Sequence, residues 1–387
     1  MLMISGRNDK GVGSRESGVG GRGLRGTRET RETRETRKTR ETRGTRETRK
    51  TRETRETRGT REKNYFRLTT YDLRLLLCLL PFALLSSCSQ PDASRTSPGT
   101  EKPQVVATST IINDLAERVG GEEIQLRGIL KPGDDPHVYE PVPADSQALE
   151  DADLILYNGY NLEPGLIKLM NAAGLKGRKL AVGEVVKPLQ LDKGKGEIVP
   201  DPHVWGDVEN SIQMVNRIRD ALIELSPEDK EKFTQNAAQL IAQLQELDTW
   251  MTRQIQTIPI ERRKLVTTHD AFQYFGRAYG MAIAGTLIGI STEEQPSAQT
   301  VQKLVEAVRK AGVPAIFAET TINPALITTV AQEAGVKLAP RQLYSDSIGA
   351  AGSNGDSYIK MMVANTQTIV EALGGKYEPF ESVTSDQ

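Results

Sequence analysis

Cysteine is nearly absent from this chain. Its 387 residues include two, Cys78 and Cys88, both before residue 90. The remainder therefore has no disulfide framework and no thiolate metal site, and must be held by its own apolar core. Histidine is as scarce, with His137, His203 and His269 the whole complement. The apolar run Leu75-Leu76-Leu77-Cys78-Leu79-Leu80-Pro81-Phe82-Ala83-Leu84-Leu85 is too short to span a bilayer. No His-Glu-x-x-His helix is present, and Gly276, Gly285 and Gly289 form no phosphate-binding fingerprint.

What fills the front of the chain is Thr-Arg-Glu repeats, such as Thr30-Arg31-Glu32 and Thr54-Arg55-Glu56. Residues 1–62 hold 19 Lys/Arg against 10 Asp/Glu and almost nothing apolar. Such a stretch buries no core and is expected to be disordered. A nine-nucleotide repeat read in frame gives the same pattern, which points to a start placed too far upstream. A basic tail for nucleic acid or anionic lipid is the alternative. Arg67 and Arg74 then precede the apolar run, and Leu85-Ser86-Ser87-Cys88 resembles a bacterial lipobox. That resemblance makes residues 63–87 a lipoprotein signal peptide and Cys88 the lipid-attachment residue. Residues 88–102, rich in Ser, Pro and Thr, become the anchor and tether. The whole chain is at −1; residues 1–62 contribute +9 and residues 63–88 +2, leaving the rest near −12. An acidic surface suits a cation-binding exported protein and argues against nucleic acid.

From residue 104 strand and helix patterns alternate. Val105–Thr110, Ile124–Leu130 and Leu154–Asn158 read as strands, with a helix over Ile111–Val119. A second set follows: strands at Lys264–Thr268, Ala282–Ile288 and Ala315–Glu319, with helices at Ala271–Tyr279, Ser297–Ala311 and Pro324–Ala334. Two mainly parallel α/β units are expected, at 103–226 and 259–387. Between them, Phe233, Ala237, Leu240, Leu244, Leu247, Met251, Ile255 and Ile258 form an unbroken helical stripe. Ser226 is placed as its N-cap and Pro227 at its first helical position. A single helix over 227–258 lying across both units is preferred to a coiled-coil dimer.

The three histidines lie 66 residues apart and 66 again, each where a strand or loop gives way to a helix pattern. Neutral imidazoles suit a borderline-soft divalent cation. Ligands of parallel sheets bind beyond the carboxyl ends of the strands. His269 directly follows the Lys264–Thr268 strand. His137 and His203 lie in loops of the first unit, so a shared site falls in the cleft between units. Asp346, after another strand-like stretch, is the best fourth ligand. Asp134, Asp135 and Asp201 either orient histidine ring nitrogens or serve as turn residues. Glu319 is expected at the edge of the core or behind a ligand, Trp205 against His203, and Trp250 in the core.

These residues carry a resemblance. Gly133-Asp134-Asp135-Pro136-His137-Val138-Tyr139-Glu140, Asp201-Pro202-His203-Val204-Trp205, Thr268-His269-Asp270-Ala271-Phe272-Gln273-Tyr274-Phe275 and Leu343-Tyr344-Ser345-Asp346-Ser347 occur in order, with Gly355-Asp356-Ser357-Tyr358 near the last helix. Over about residues 103–375 the chain resembles the metal-binding solute-binding lipoproteins of bacterial zinc and manganese ABC importers, the cluster A-I or adhesin-type lipoproteins. The resemblance implies two α/β lobes joined by one long rigid helix, with His137, His203, His269 and Asp346 holding one transported Zn2+ or Mn2+ in the interlobe cleft. It also implies an exported, lipid-anchored monomer that faces the periplasm or cell exterior and serves an ABC permease and its ATPase. Members often carry histidine at the third position for zinc and glutamate for manganese. Three imidazoles and a carboxylate fit tetrahedral zinc. A zinc hydrolase and a surface adhesin are the competing functions. The first needs an open position for water, which Asp346 would close.

Overall fold

The computed structural model describes residues 101–192 and 196–381. The repeats, the leader and Cys88 lie outside them. Two mainly apolar strands, β1 (Gln104–Ala107) and β3 (Leu154–Tyr157), are flanked by the more polar β2 (Gln125–Gly128) and β4 (Arg178–Ala181) in the first sheet. Helices α1 (Thr110–Gly120), α2 (Pro143–Asp151) and α3 (Pro164–Ala172) connect them. All pairings are parallel, in the order β2-β1-β3-β4. The strand order thus reverses beside β1, which leaves a crevice beyond its carboxyl end. An antiparallel hairpin follows, β5 (Gln190–Asp192) with β6 (Ile198–Pro200).

Two helices come next, α4 (Val208–Leu225), capped by the Asp207 side chain, and α5 (Lys230–Gln256). At ~1.5 Å per residue α5 is a rod of about 40 Å. Its stripe from Phe233 to Ile255 is buried, and Ile258 just beyond it is buried too. The start of α5 differs from the expectation. Ser226 is the C-cap of α4, its N–H donating to Leu222 O, and Pro227–Asp229 form one 3-10 turn before α5 begins. The Ser226 hydroxyl donates to Asp229 Oδ2 (2.6 Å) and caps no backbone N–H. The reason is that the Ser226 N–H closes α4 while its hydroxyl is taken by the Asp229 carboxylate.

The second set comprises β7 (Lys264–Thr267), α6 (Gln273–Tyr279), β8 (Ala282–Thr286), α7 (Ala298–Ala311), β9 (Ala315–Ile316), α8 (Ala325–Ala334) and β10 (Lys337–Leu338). β7 pairs β8 and β9 pairs β10, both in parallel. The Phe317 N–H donates to Val266 O (2.9 Å), setting β9 beside β7. The order β8-β7-β9-β10 therefore repeats that of the first sheet. The last helix, α9 (Tyr358–Leu373), packs on α5.

Helix α5 also packs against α1, α4 and α6. One apolar cluster runs from Val105 through the α5 stripe to Leu373 and so joins both sets. Smaller clusters lie under α7 and α8 and under α2 and α3. Trp250 is buried on α5 against Tyr377 and Phe380. Among the described residues no helix is long and apolar enough to cross a membrane.

Candidate metal centre

Two of the three histidines are set by the same local device. In Asp135-Pro136-His137 the His137 N–H donates to Asp135 Oδ1 (2.9 Å). In Asp201-Pro202-His203 the His203 N–H donates to Asp201 Oδ1 (3.0 Å). An aspartate accepting from the backbone two residues on makes a tight turn, and the proline between restricts it further. Asp201 Oδ1 also meets His203 Nδ1 at 2.7 Å. The third histidine uses a distant carboxylate in the same way. The His269 N–H donates to Glu319 Oε1 (2.8 Å), and His269 Nδ1 bonds Glu319 Oε2. Glu319 reaches it because its own segment pairs with Leu343 beyond β9, on the strand-end side of β7.

With Nδ1 of His203 and His269 taken by carboxylates, their Nε2 atoms face one centre. His137 Nε2 lies 3.2 Å from His203 Nε2 and 3.9 Å from Asp346 Oδ2. Asp346 Oδ1 lies 3.4 Å from His203 Nε2, and Asp346 Oδ2 lies 3.1 Å from His269 Nε2. The four ligand atoms are all within 4.8 Å of one another, and all four residues are buried. A tetrahedral ion with arms of about 2.0–2.1 Å has ligand-to-ligand edges of roughly 3.3 Å, close to these separations. Both Asp346 oxygens and His269 Nε2 are buried without a hydrogen-bond partner. Orphaned buried polar atoms are costly, and a bound cation would satisfy all three at once. The quartet is a His/Asp site for one metal ion.

The charge balance points the same way. Burial disfavours a charged imidazole, but the hydrogen bond with Asp201 and the nearby Asp346 carboxylate outweigh it and hold His203 up at about 9. His269 is likewise held well above its ordinary value: burial opposes the charge, and the Glu319 and Asp346 carboxylates overcome it. Burial works against the Asp346 carboxylate too, yet His269 and His203 hold it well below the usual range. Three buried carboxylates therefore gather positive charge at one point.

The other sequence candidates are placed as follows. Glu319 and Asp201 stand behind His269 and His203. Asp134 does not stand behind a histidine: its carboxylate accepts the Lys131 N–H (2.8 Å) and closes a turn, while Asp135 beside it takes the His137 N–H. Trp205 meets His203 edge-on, ring centroids 5.5 Å apart, and donates Nε1–H to Ser345 O (2.9 Å). Ser347 is a residue that sequence reasoning passed over. Its hydroxyl accepts the Gly133 N–H (2.8 Å) and lies 3.2 Å from Thr110 Oγ1, tying the Asp346 loop to the His137 loop and α1. The repeated Asp-Pro-His triplet was a readable signal for the device at His137 and His203. Nothing near Glu319 in sequence announced its partner.

A buried cluster of three histidines and an aspartate at the strand ends of two parallel α/β sets defines a metal-binding protein. The chain belongs to the zinc-uptake complex component A periplasmic family, whose model matches residues 105–372. It is 36% identical over 306 residues to the zinc-binding protein TroA of Treponema pallidum, covering 78% of this chain and 98% of that protein. It is 35% identical over 296 residues to the manganese-binding lipoprotein MntA of Halalkalibacterium halodurans, covering 76% and 96%. The solved structure of the periplasmic zinc-binding protein TroA from Treponema pallidum matches with a TM-score of 0.67 at 35% identity, over 70% of this chain and 99% of that one.

Proposed function

We propose that this chain is the extracytoplasmic substrate-binding component of an ABC importer, which captures a divalent transition-metal ion, zinc or manganese, and delivers it to a membrane permease driven by an ATPase subunit. The observation that carries this is the quartet: His137, His203, His269 and Asp346 converge, buried, with orphaned Asp346 oxygens and His269 Nε2 at the centre. Two relatives described as zinc-binding and manganese-binding support the choice of cargo. Asp201 and Glu319 orient His203 and His269 and make their Nε2 atoms better donors to the ion. Residues 103–226 and 259–387 act as lobes with 227–258 between them. The ion is cargo and undergoes no turnover; Asp346 takes the corner that a hydrolytic water would need. The Irving–Williams order makes zinc the tighter in-vitro ligand of such a donor set.

Equilibrium titration with Zn2+ tests the site. One ion per chain is expected, and His203→Ala should weaken binding at least about a hundredfold, the scale of removing a ligand given the 10–100-fold cost of removing its supports. Full affinity in that variant would overturn the assignment. The protein acts as a monomer held to the membrane through Cys88, outside the described residues, in line with relatives described as lipoproteins. Palmitate labelling of cells checks the anchor: wild type should take up label, and a Cys88→Ser protein that still does so refutes it.

A further inference from the structure

The segment from Leu287 to Thr292 is fastened at both ends beside the proposed ligands. At one end the Leu287 and Ile288 N–H groups donate to Thr268 O (3.1 and 2.9 Å), and the Asp270 N–H donates to Gly289 O (3.2 Å). Thr268 and Asp270 flank His269. At the other end Thr292 Oγ1 donates to Asp135 Oδ2 (2.7 Å). The second oxygen of that carboxylate, Oδ1, accepts the His137 N–H (2.9 Å). Six residues thus run from the backbone around His269 to the carboxylate that positions His137. The two histidines come from different α/β sets.

The same segment walls a cavity of about 570 Å³. Ile290 and Ser291 line it, with Glu293 and Glu294 just beyond Thr292, and Glu184 is contributed by the first α/β set. Of the quartet, His137 lines this cavity. An ion leaving the centre by this route passes His137 and the Leu287–Thr292 segment. Movement of the His137 loop away from His269 would have to break the Thr292–Asp135 bond or carry the segment with it.

Building on the metal-binding reading above, we propose that Thr292 and Asp135 form a clasp beside the cavity, between the His137 and His269 loops, that sets how fast the bound ion is released. Neither residue touches the ion; both are positioning residues. Closed, the hydroxyl-to-carboxylate bond fixes the His137 loop against the His269 loop and holds the segment along the cavity wall. Open, it lets the His137 loop move away with its ligand. A hydrogen bond to a carboxylate is stronger than one between neutral groups, so one such bond is enough to matter. Capture and release both pass through the opened state, so the clasp governs rates more than affinity.

The test is stopped-flow release of Zn2+ from the loaded protein into excess chromophoric chelator, with equilibrium affinity measured alongside. Thr292→Val keeps the shape and removes the donor. It should speed release roughly tenfold, the effect of one charge-assisted hydrogen bond, while affinity changes less because capture also quickens. Thr292→Ser restores the donor and should restore the wild-type rate. Release from Thr292→Val at the wild-type rate, or from Thr292→Ser as fast as from Thr292→Val, overturns the clasp while leaving the metal site intact. A wild-type protein that takes up no Zn2+ overturns the metal-binding reading, and the clasp with it.

Discussion

Each of the three imidazoles is held through its own backbone N–H by a carboxylate: Asp135 for His137, Asp201 for His203 and Glu319 for His269. The first two were within reach of sequence reasoning because donor and acceptor are two residues apart. Glu319 lies fifty residues from His269. Only the pairing of β9 beside β7 brings them together, so which histidine it stands behind could not be read locally. Another buried acid, Glu163, leads to a prediction. Burial pushes its carboxyl up to about 7, against the pull of hydrogen bonds from the Asn158 N–H (2.7 Å) and the Thr108 hydroxyl (2.8 Å). A carboxyl whose folded pKa exceeds its unfolded value binds its proton more tightly in the folded state. Its favourable contribution is full below about 4.5 and is lost as pH rises through about 7, a change of about 3 kcal/mol. Glu163→Gln keeps an acceptor oxygen and removes the titration. Urea unfolding at pH 5 and pH 8 should show a smaller loss of stability on going to pH 8 in the variant than in the wild type. Equal losses in the two proteins would show that Glu163 does not titrate in this range.

Helix α5 was the most legible element, because its apolar stripe is long and has no internal Gly or Pro. Its beginning was less so. Ser226-Pro227 is a sound start signal and does open the 3-10 turn before α5, but Ser226 also closes α4 and its hydroxyl goes to Asp229 rather than to a backbone N–H. The second sheet shows the opposite limit. β9 and β10 have two ladder residues each, and Glu319 joins Leu343 by a single bridge. Ala315–Glu319 reads as one longer strand because four of its five residues are apolar, yet Ile316 and Ala318 are buried in the cluster under α7 and α8 and Phe317 in the main cluster, without a longer ladder. The hairpin β5–β6 passed unnoticed, since its short strands are mostly half-buried or exposed and carry no strong alternation.

At the scale of the molecule, the two α/β sets are bound together by contacts that involve none of the four ligand side chains. Trp205 donates to Ser345 O, the Tyr358 N–H donates to Asp114 Oδ2 (3.0 Å), and the Tyr358 hydroxyl donates to Trp205 O (2.7 Å). The α5 stripe is buried against both sets, and kinks in such a helix usually need Pro, Gly or an inserted group. Metal binding should therefore leave the scattering radius almost unchanged. It should still raise the melting temperature, since a ligand that binds only the folded state stabilises it by about 4 kcal/mol at roughly a thousandfold excess over its dissociation constant. Small-angle scattering and thermal melts with and without Zn2+ check both parts: a large compaction would refute the rigid arrangement, and an unmoved melt would refute the metal site. By itself the sequence determined the alternation of strand and helix, the long rod and the identity of the four converging residues. The first two follow from periodicity, and the four residues from their places after strand-like stretches together with the resemblance their motifs carry, all of them properties of neighbours in the chain. The tertiary structure alone decided that Glu319 backs His269, that Ser347 ties the Asp346 loop to Gly133, and that Thr292 reaches Asp135. Each is a contact between residues that only sheet order and helix packing bring within hydrogen-bond distance, and no local pattern encodes which distant partner a polar side chain will meet.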